Sequence, residues 1–197
     1  MRRSLGKPHP QLVGIDDGAF DRSDRYAPLA AVVVTLPERL EAVRTGQVRV
    51  DGTDGTRRVL SLVRSLGPLE GVRAILFDGV VVGGFNVLDL EAIHRELRLP
   101  VVAVTRRPPE FARIRSALAK WFPRSADRRW ALLKAHRLIP VPTTGRPILA
   151  TAVGCSRVDA VRLVQRASVR GYWPEPLRLA HLVASAGRGR HRRPPKD

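Results

Sequence analysis

Cysteine is almost missing from this chain: Cys155 stands alone among 197 residues. A disulfide framework and a thiolate zinc site are therefore both excluded, and any metal ion would have to be held mainly by oxygens. No stretch approaches the roughly 20 apolar residues that a membrane-spanning helix needs. Met1, Arg2 and Arg3 lead into Gly, Pro and His instead of the apolar core of a signal peptide, so the expected location is the cytoplasm, with no membrane partner. Walker A and G-x-G-x-x-G sequences are absent, Gly83-Gly84 being followed by Phe85 and Asn86, and a nucleotide cofactor is not expected. There is no internal repeat. Lysine is scarce, four of the 35 basic residues, and aromatics make up only 5%.

What the chain does have is arginine and a hydrophobic fraction of 44%, enough for one substantial core. The expected organisation is a single domain over 1–186 with a basic, disordered tail over 187–197. The formal charge is +17; the tail contributes net +4, so +13 resides in the body. Such a surplus favours a polyanionic partner, nucleic acid first, because cations that neutralise phosphates release condensed counterions. Arginine bias by itself would also suit a GC-rich genome or heat adaptation.

Residues 11–15 form a short apolar run that ends in Asp16-Asp17-Gly18, the pattern of a buried strand delivering two carboxylates into a turn. Residues 29–35 and 47–50 predict an antiparallel hairpin broken at Pro37-Glu38, followed by the acidic turn that holds Asp51 and Asp54. Apolar residues at Val59, Leu60, Leu62, Val63 and Leu66 predict a helix over 56–66. A second buried-type strand, 72–77, also ends in Asp-Gly at Asp78-Gly79. A glycine-rich connection then predicts a helix over 87–97 with Asp89 in its first turn. A strand at 100–105 and helices at 110–122 and 126–136 follow, and this alternation predicts parallel pairing. Residues 140–147 read as a loop, 148–153 as an edge strand, 156–169 as a helix capped by Ser156, and 177–186 as a last helix entered through Pro174-Glu175-Pro176.

Three acidic turns therefore follow strand-like runs, at Asp16-Asp17, at Asp51/Asp54 and at Asp78. If those strands are neighbours, the carboxylates meet at one end of a sheet. Converging carboxylates repel unless a cation lies among them, and oxygen donors suit Mg²⁺ or Mn²⁺, which can activate water for phosphodiester cleavage. Asp-Gly is also an ordinary turn dipeptide, so each site alone reads as a turn. His181 reads as a packed or capping histidine, with metal ligation as the lesser alternative; Trp121, Trp130 and Trp173 read as core or groove residues, one of which could stack on an unpaired base. Cys155 has no base near it in sequence, which argues against a nucleophile.

Taken together, residues 13–18 (VGIDDG), 50–56 (VDGTDGT), 77–80 (FDGV) with 83–87 (GGFNV) and Asp89, 99–106 (LPVVAVTR) and 174–181 (PEPLRLAH) resemble the archaeal endonuclease V-like family, in particular its endonuclease dU branch. The resemblance implies an α/β, ribonuclease H-like mixed sheet, three antiparallel strands leading into parallel strand-helix units. It implies a divalent-metal-dependent endonuclease that hydrolyses DNA at or near a deaminated base, deoxyuridine or inosine. Asp16 and Asp78 would be the metal-holding and catalytic pair, with Asp54 or Asp51 as the third acid. Arg106, with Arg107 and Asn86, would bind phosphate or DNA. Two departures stand out: Arg106 occupies the place of a catalytic lysine, and Cys155 the place of a histidine that follows a glycine. They motivate the alternative of a non-catalytic DNA- or RNA-binding protein of the same fold, structured RNA being a further possible target.

Overall fold

The computed structural model describes residues 9–186, so the tail expected over 187–197 lies outside the described residues. In chain order, β1 (Gln11–Asp17), β2 (Tyr26–Thr35) and β3 (Arg39–Arg49) lead into α1 (Gly55–Arg64) and β4 (Val72–Asp78). A small hairpin, β5 (Val81–Val82) and β6 (Asn86–Val87), precedes α2 (Leu90–Leu97) and β7 (Val101–Thr105). Then come α3 (Phe111–Trp121), α4 (Ala126–Lys134), β8 (Ile139–Val141), β9 (Ile148–Val153), α5 (Arg157–Ala167) and α6 (Glu175–Ala186).

Seven of the strands form one mixed sheet in the order β3-β2-β1-β4-β7-β9-β8. β1, β2 and β3 are antiparallel neighbours, and β4 then pairs parallel with both β1 and β7. The central strands are nearly continuous Val, Leu, Ile and Ala because both faces are covered, whereas β3, at one edge, is largely exposed. On one face α1 and α2 press Val59, Leu62, Val63, Leu90 and Ile93 into the core; on the other, α5 contributes Leu163 and Val164 and α6 contributes Leu177 and Ala180.

Two expectations need correction. Residues 148–153 are not an edge strand: β9 lies between β7 and β8, antiparallel to both, and the edge falls to β8, in the stretch expected to be a loop. Pro140 at that edge has no N–H to offer a further strand. The helix expected from Val87 starts later, because Asn86 and Val87 close the β5–β6 hairpin and Asp89 caps α2, accepting a hydrogen bond from the Ala92 amide at 2.9 Å.

α6 sits on β1 at backbone distance. A Cβ placed on Gly14 would stand 2.2 Å from the Pro176 carbonyl oxygen, and one on Gly18 would stand 2.4 Å from that of Ala184. Four residues of strand and eight of helix span the same length, roughly 12–13 Å, so α6 runs alongside β1 in the same direction. Midway between the two contacts lie Asp16 on the strand and His181 on the helix. Gly14→Ala is therefore expected to cost about 1–3 kcal/mol by forcing the two backbones apart. Thermal unfolding checks this, each kcal/mol lowering Tm by roughly 2–4 °C; an unchanged Tm would contradict the seating described.

Candidate active site

The register Ile15↔Phe77 in the parallel β1–β4 pair sets the next residues, Asp16 and Asp78, side by side where both strands leave the sheet. Asp16 is 5% exposed. One of its oxygens accepts the Asp17 amide at 2.9 Å, and the other lies 3.0 Å from His181 Nδ1. Burial, followed by the charges of Asp78 and Asp17, pushes the Asp16 carboxyl up to about 8. Burial also raises Asp17, against the pull of the Gly83 amide. Asp78 is more open, and its Oδ2 accepts a hydrogen bond from Arg106 at 3.0 Å. The Arg106 guanidinium in turn lies 3.6 Å from the centroid of the Trp173 ring.

Asp51 and Asp54 are engaged by the β5–β6 hairpin, the same hairpin that Asp17 holds. Asp51 Oδ1 accepts the Phe85 amide at 2.8 Å. Asp54 Oδ1 accepts a hydrogen bond from Asn86 Nδ2 at 2.8 Å, and Asn86 Oδ1 accepts the Gly55 amide at 2.8 Å. Burial works against the Asp54 charge, yet the hydrogen bonds from Asn86 and Arg58 outweigh it and hold the carboxyl below the usual range. Asp17 fixes the same hairpin turn from the other side, accepting the Gly83 amide at 2.6 Å. Arg129, buried, closes the network by donating to the carbonyls of Asp51 and Phe85. Asn86 is wholly buried with both amide atoms engaged, so in this arrangement it offers nothing to a phosphate, contrary to the expectation for it.

Cys155 is likewise not where a site residue would be. Val153 pairs with Val101 at the start of β7, while Asp78 pairs with Val104 near its end, so Cys155 lies at the opposite end of the sheet. Burial raises its thiol to about 11, an inert group. The histidine that reaches the carboxylates is His181. Its signal was its place within residues 174–181, but the pairing with Asp16 spans 165 residues and depends on how α6 seats.

Beyond Asp78, between the sheet and the α3–α4 pair, opens a cleft of about 1260 Å³. Its walls include Phe20, Phe85, Val104 and Leu138, and Arg22, Arg107 and Arg113 also line it. Arg107 is exposed there, free to meet an anion. Among the described residues no three His, Cys, Asp or Glu side chains stand together as a ready metal site. The donors themselves suit a hard divalent cation: two carboxylates that repel each other across adjacent strands, with an imidazole on one of them. The upward push on Asp16 by Asp78 is repulsion that such a cation would relieve.

A sequence profile of the family described as Endonuclease dU matches residues 9–187. The chain belongs to that family. A UPF0215 protein of Thermococcus gammatolerans is 36% identical over 184 residues, 91% of this chain and 93% of the relative. The crystal structure of a protein of unknown function from Archaeoglobus fulgidus superposes with a TM-score of 0.79 at 32% identity, covering 90% of this chain and 97% of that one. Endonuclease V of Ciona intestinalis, solved with a 24mer DNA containing an inosine followed by a ribo-adenosine, superposes with a TM-score of 0.61 at 16% identity over 90% and 84% of the two chains. The fold of the chain is thus ribonuclease H-like, shared with endonuclease V, and the family to which it belongs is one of endonucleases.

For this endonuclease dU family member the Asp16 environment has a measurable consequence. The folded-state value, about 8, stands above the ordinary 3.8, so between those pH values the folded state binds more protons than the unfolded one. Metal-free stability therefore falls as pH rises through that interval, and the cost is complete above it. Asp16→Asn removes the charge, so in EDTA its Tm should exceed that of the wild type at pH 9 and match it more closely at pH 4.5. A difference independent of pH would refute the burial argument.

Proposed function

We propose that this chain is a Mg²⁺- or Mn²⁺-dependent endonuclease that hydrolyses a phosphodiester bond of DNA at or near a deaminated base, deoxyuridine or deoxyinosine. The observation that carries the reading is the Asp16–Asp78 pair, set side by side on adjacent parallel strands with His181 on the buried member. Asp16 and Asp78 would hold the cation, which when bound supplies Lewis-acid charge at the scissile phosphate. His181, anchored through Nδ1, can hold or pass a proton at its other ring nitrogen. Arg106 serves as a phosphate clamp, its planar fork of N–H donors matching phosphate oxygens. Stacking on Trp173 limits its freedom, so less entropy is lost when phosphate displaces Asp78 as its partner. Asp51 and Asp54 serve the site indirectly, by fixing the 83–86 turn that Asp17 grips.

The cleft beside Asp78 would receive the altered base once it swings out of the stack, a step that costs least where pairing is already poor. Arg107 at the cleft and the basic surface would follow the backbone. One observation favours the alternative of a non-catalytic binder: Arg106 already neutralises Asp78, leaving that carboxylate less attractive to a cation. The +17 charge suits DNA and RNA alike.

Cleavage of uracil-, inosine- and normal-base DNA and RNA with Mn²⁺ separates these readings. The wild type should nick the deaminated DNA strands, and Asp78→Asn should lower the rate roughly 10³-fold or more with salt-sensitive binding retained. Full metal-dependent nicking by Asp78→Asn would sink the assignment, and binding without product in the wild type would establish the non-catalytic reading.

A further inference from the structure

Residues 110–137, the α3–α4 pair with its flanks, hold eight Lys or Arg against Glu110 and Asp127. The two helices form a hairpin, in which Phe111 at the start of α3 meets Trp130 of α4 edge-on at 5.9 Å. This hairpin adds little to the core, its helices burying only Leu118 and Arg129. Among the described residues Arg113 alone of its cations pairs with a carboxylate, that of Glu110 at 2.9 Å. Aromatic rings hold three of the others. Arg115 lies 5.5 Å from the centroid of Trp130, Lys134 lies 4.4 Å from that of Phe111, and Lys120 lies 4.7 Å from that of Trp121. A ring face steadies a cation without cancelling its charge, so these cations remain able to meet an anion.

Trp121 stands apart from the other rings of the hairpin. Phe111, Phe122 and Trp130 each pack against another ring. Trp121, at the last position of α3, is 65% exposed, the most open large apolar side chain among the described residues. Lys120 covers one of its faces at most. Trp121 also lines the cleft that opens beyond Asp78. Close behind it in the chain, Arg124 in the connecting turn and Arg128 in the first turn of α4 are both exposed. An open ring beside cations that no carboxylate neutralises is suited to stack on a base while the charges meet the backbone. We propose that the α3–α4 hairpin is a binding arm for an unpaired DNA strand leading into the cleft. Trp121 stacks on a base, and Lys120, Arg124 and Arg128 meet the phosphates beside it. Both faces of a base inside a duplex are held between its neighbours, so the arm favours single-stranded or locally opened DNA. This rests on the reading of the chain as acting on DNA and adds to it the form of the substrate.

The test uses the full chain, a labelled single strand and the blunt duplex of the same sequence. Binding is measured in EDTA by fluorescence anisotropy over a range of salt concentrations, and cleavage of deaminated strands separately with Mn²⁺. The wild type should prefer the single strand. Trp121→Ala should bind that strand roughly tenfold more weakly, with an unchanged salt dependence and little loss on the duplex. Trp121→Phe should keep most of the affinity. Joint Arg124→Gln and Arg128→Gln should lower the slope of log affinity against log salt by roughly 1. Each variant should unfold at the wild-type temperature, because the altered side chains are exposed. The inference is overturned if Trp121→Ala binds the single strand as the wild type does, if it loses as much on the duplex, or if the arginine substitutions leave the slope unchanged. A wild type that shows the expected binding but nicks nothing removes the proposed endonuclease and leaves the arm standing. A wild type that nicks deaminated strands while Trp121→Ala binds them undiminished removes the arm alone.

Discussion

The approach of α6 to β1 governs the chemistry available to this molecule. Two backbones can lie this close only where one of them lacks a Cβ, and Gly14 and Gly18 supply that gap on either side of Asp16. The helix thereby carries His181 to within 3.0 Å of a carboxylate that β1 has buried. Without that contact the sheet would still present Asp16 beside Asp78, since the parallel register sets it, but the buried acid would have no imidazole. The conflict at this end of the sheet is electrostatic: Asp16, Asp17 and Asp78 crowd together in a place that disfavours their charge. Arg106 answers part of it from the end of β7, and Trp173 steadies Arg106 from the segment before α6.

A second network holds the site's outer wall. The short β5–β6 hairpin has little core of its own, and its turn is fixed by side chains from elsewhere: Asp17 on the Gly83 amide, Asp51 on the Phe85 amide, and Arg129 on the Phe85 carbonyl. Gly83 and Gly84 both take positive φ there, and a Cβ on Gly84 would meet Asp51 Oδ1 at 2.4 Å. The acidic turn after β3 thus acts as a fastening for this hairpin.

Much of this was legible in the sequence, for identifiable reasons. Apolar runs that stop at Asp-Gly placed Asp16 and Asp78 at strand ends, and strand-helix alternation supplied the parallel pairing that sets them together. The part that was not legible depends on distant partners. Asp51 and Asp54 carry the same local signature as Asp78, and only the buried amide of Asn86 and the backbone of Phe85 distinguish a fastening from a ligand. His181 sits in an ordinary amphipathic helix, and its role follows from two glycines some 165 residues earlier. Cys155 after Gly154 looked like a substituted site residue, yet the antiparallel run of β9 carries it to the far end of the sheet. β9 itself reads as an edge strand because a three-residue strand such as β8 leaves too short a pattern to recognise.

The claim on which the rest turns is that Asp16 and Asp78 together bind a divalent cation. Titration of Mn²⁺ followed by electron paramagnetic resonance tests it on the full-length wild type and on Asp16→Asn, Asp78→Asn and Asp54→Asn, with folding checked by circular dichroism. One class of bound Mn²⁺ is expected in the wild type and in Asp54→Asn, lost from both Asp16→Asn and Asp78→Asn. Undiminished Mn²⁺ binding by folded Asp78→Asn, or its loss only in Asp54→Asn, would contradict the claim.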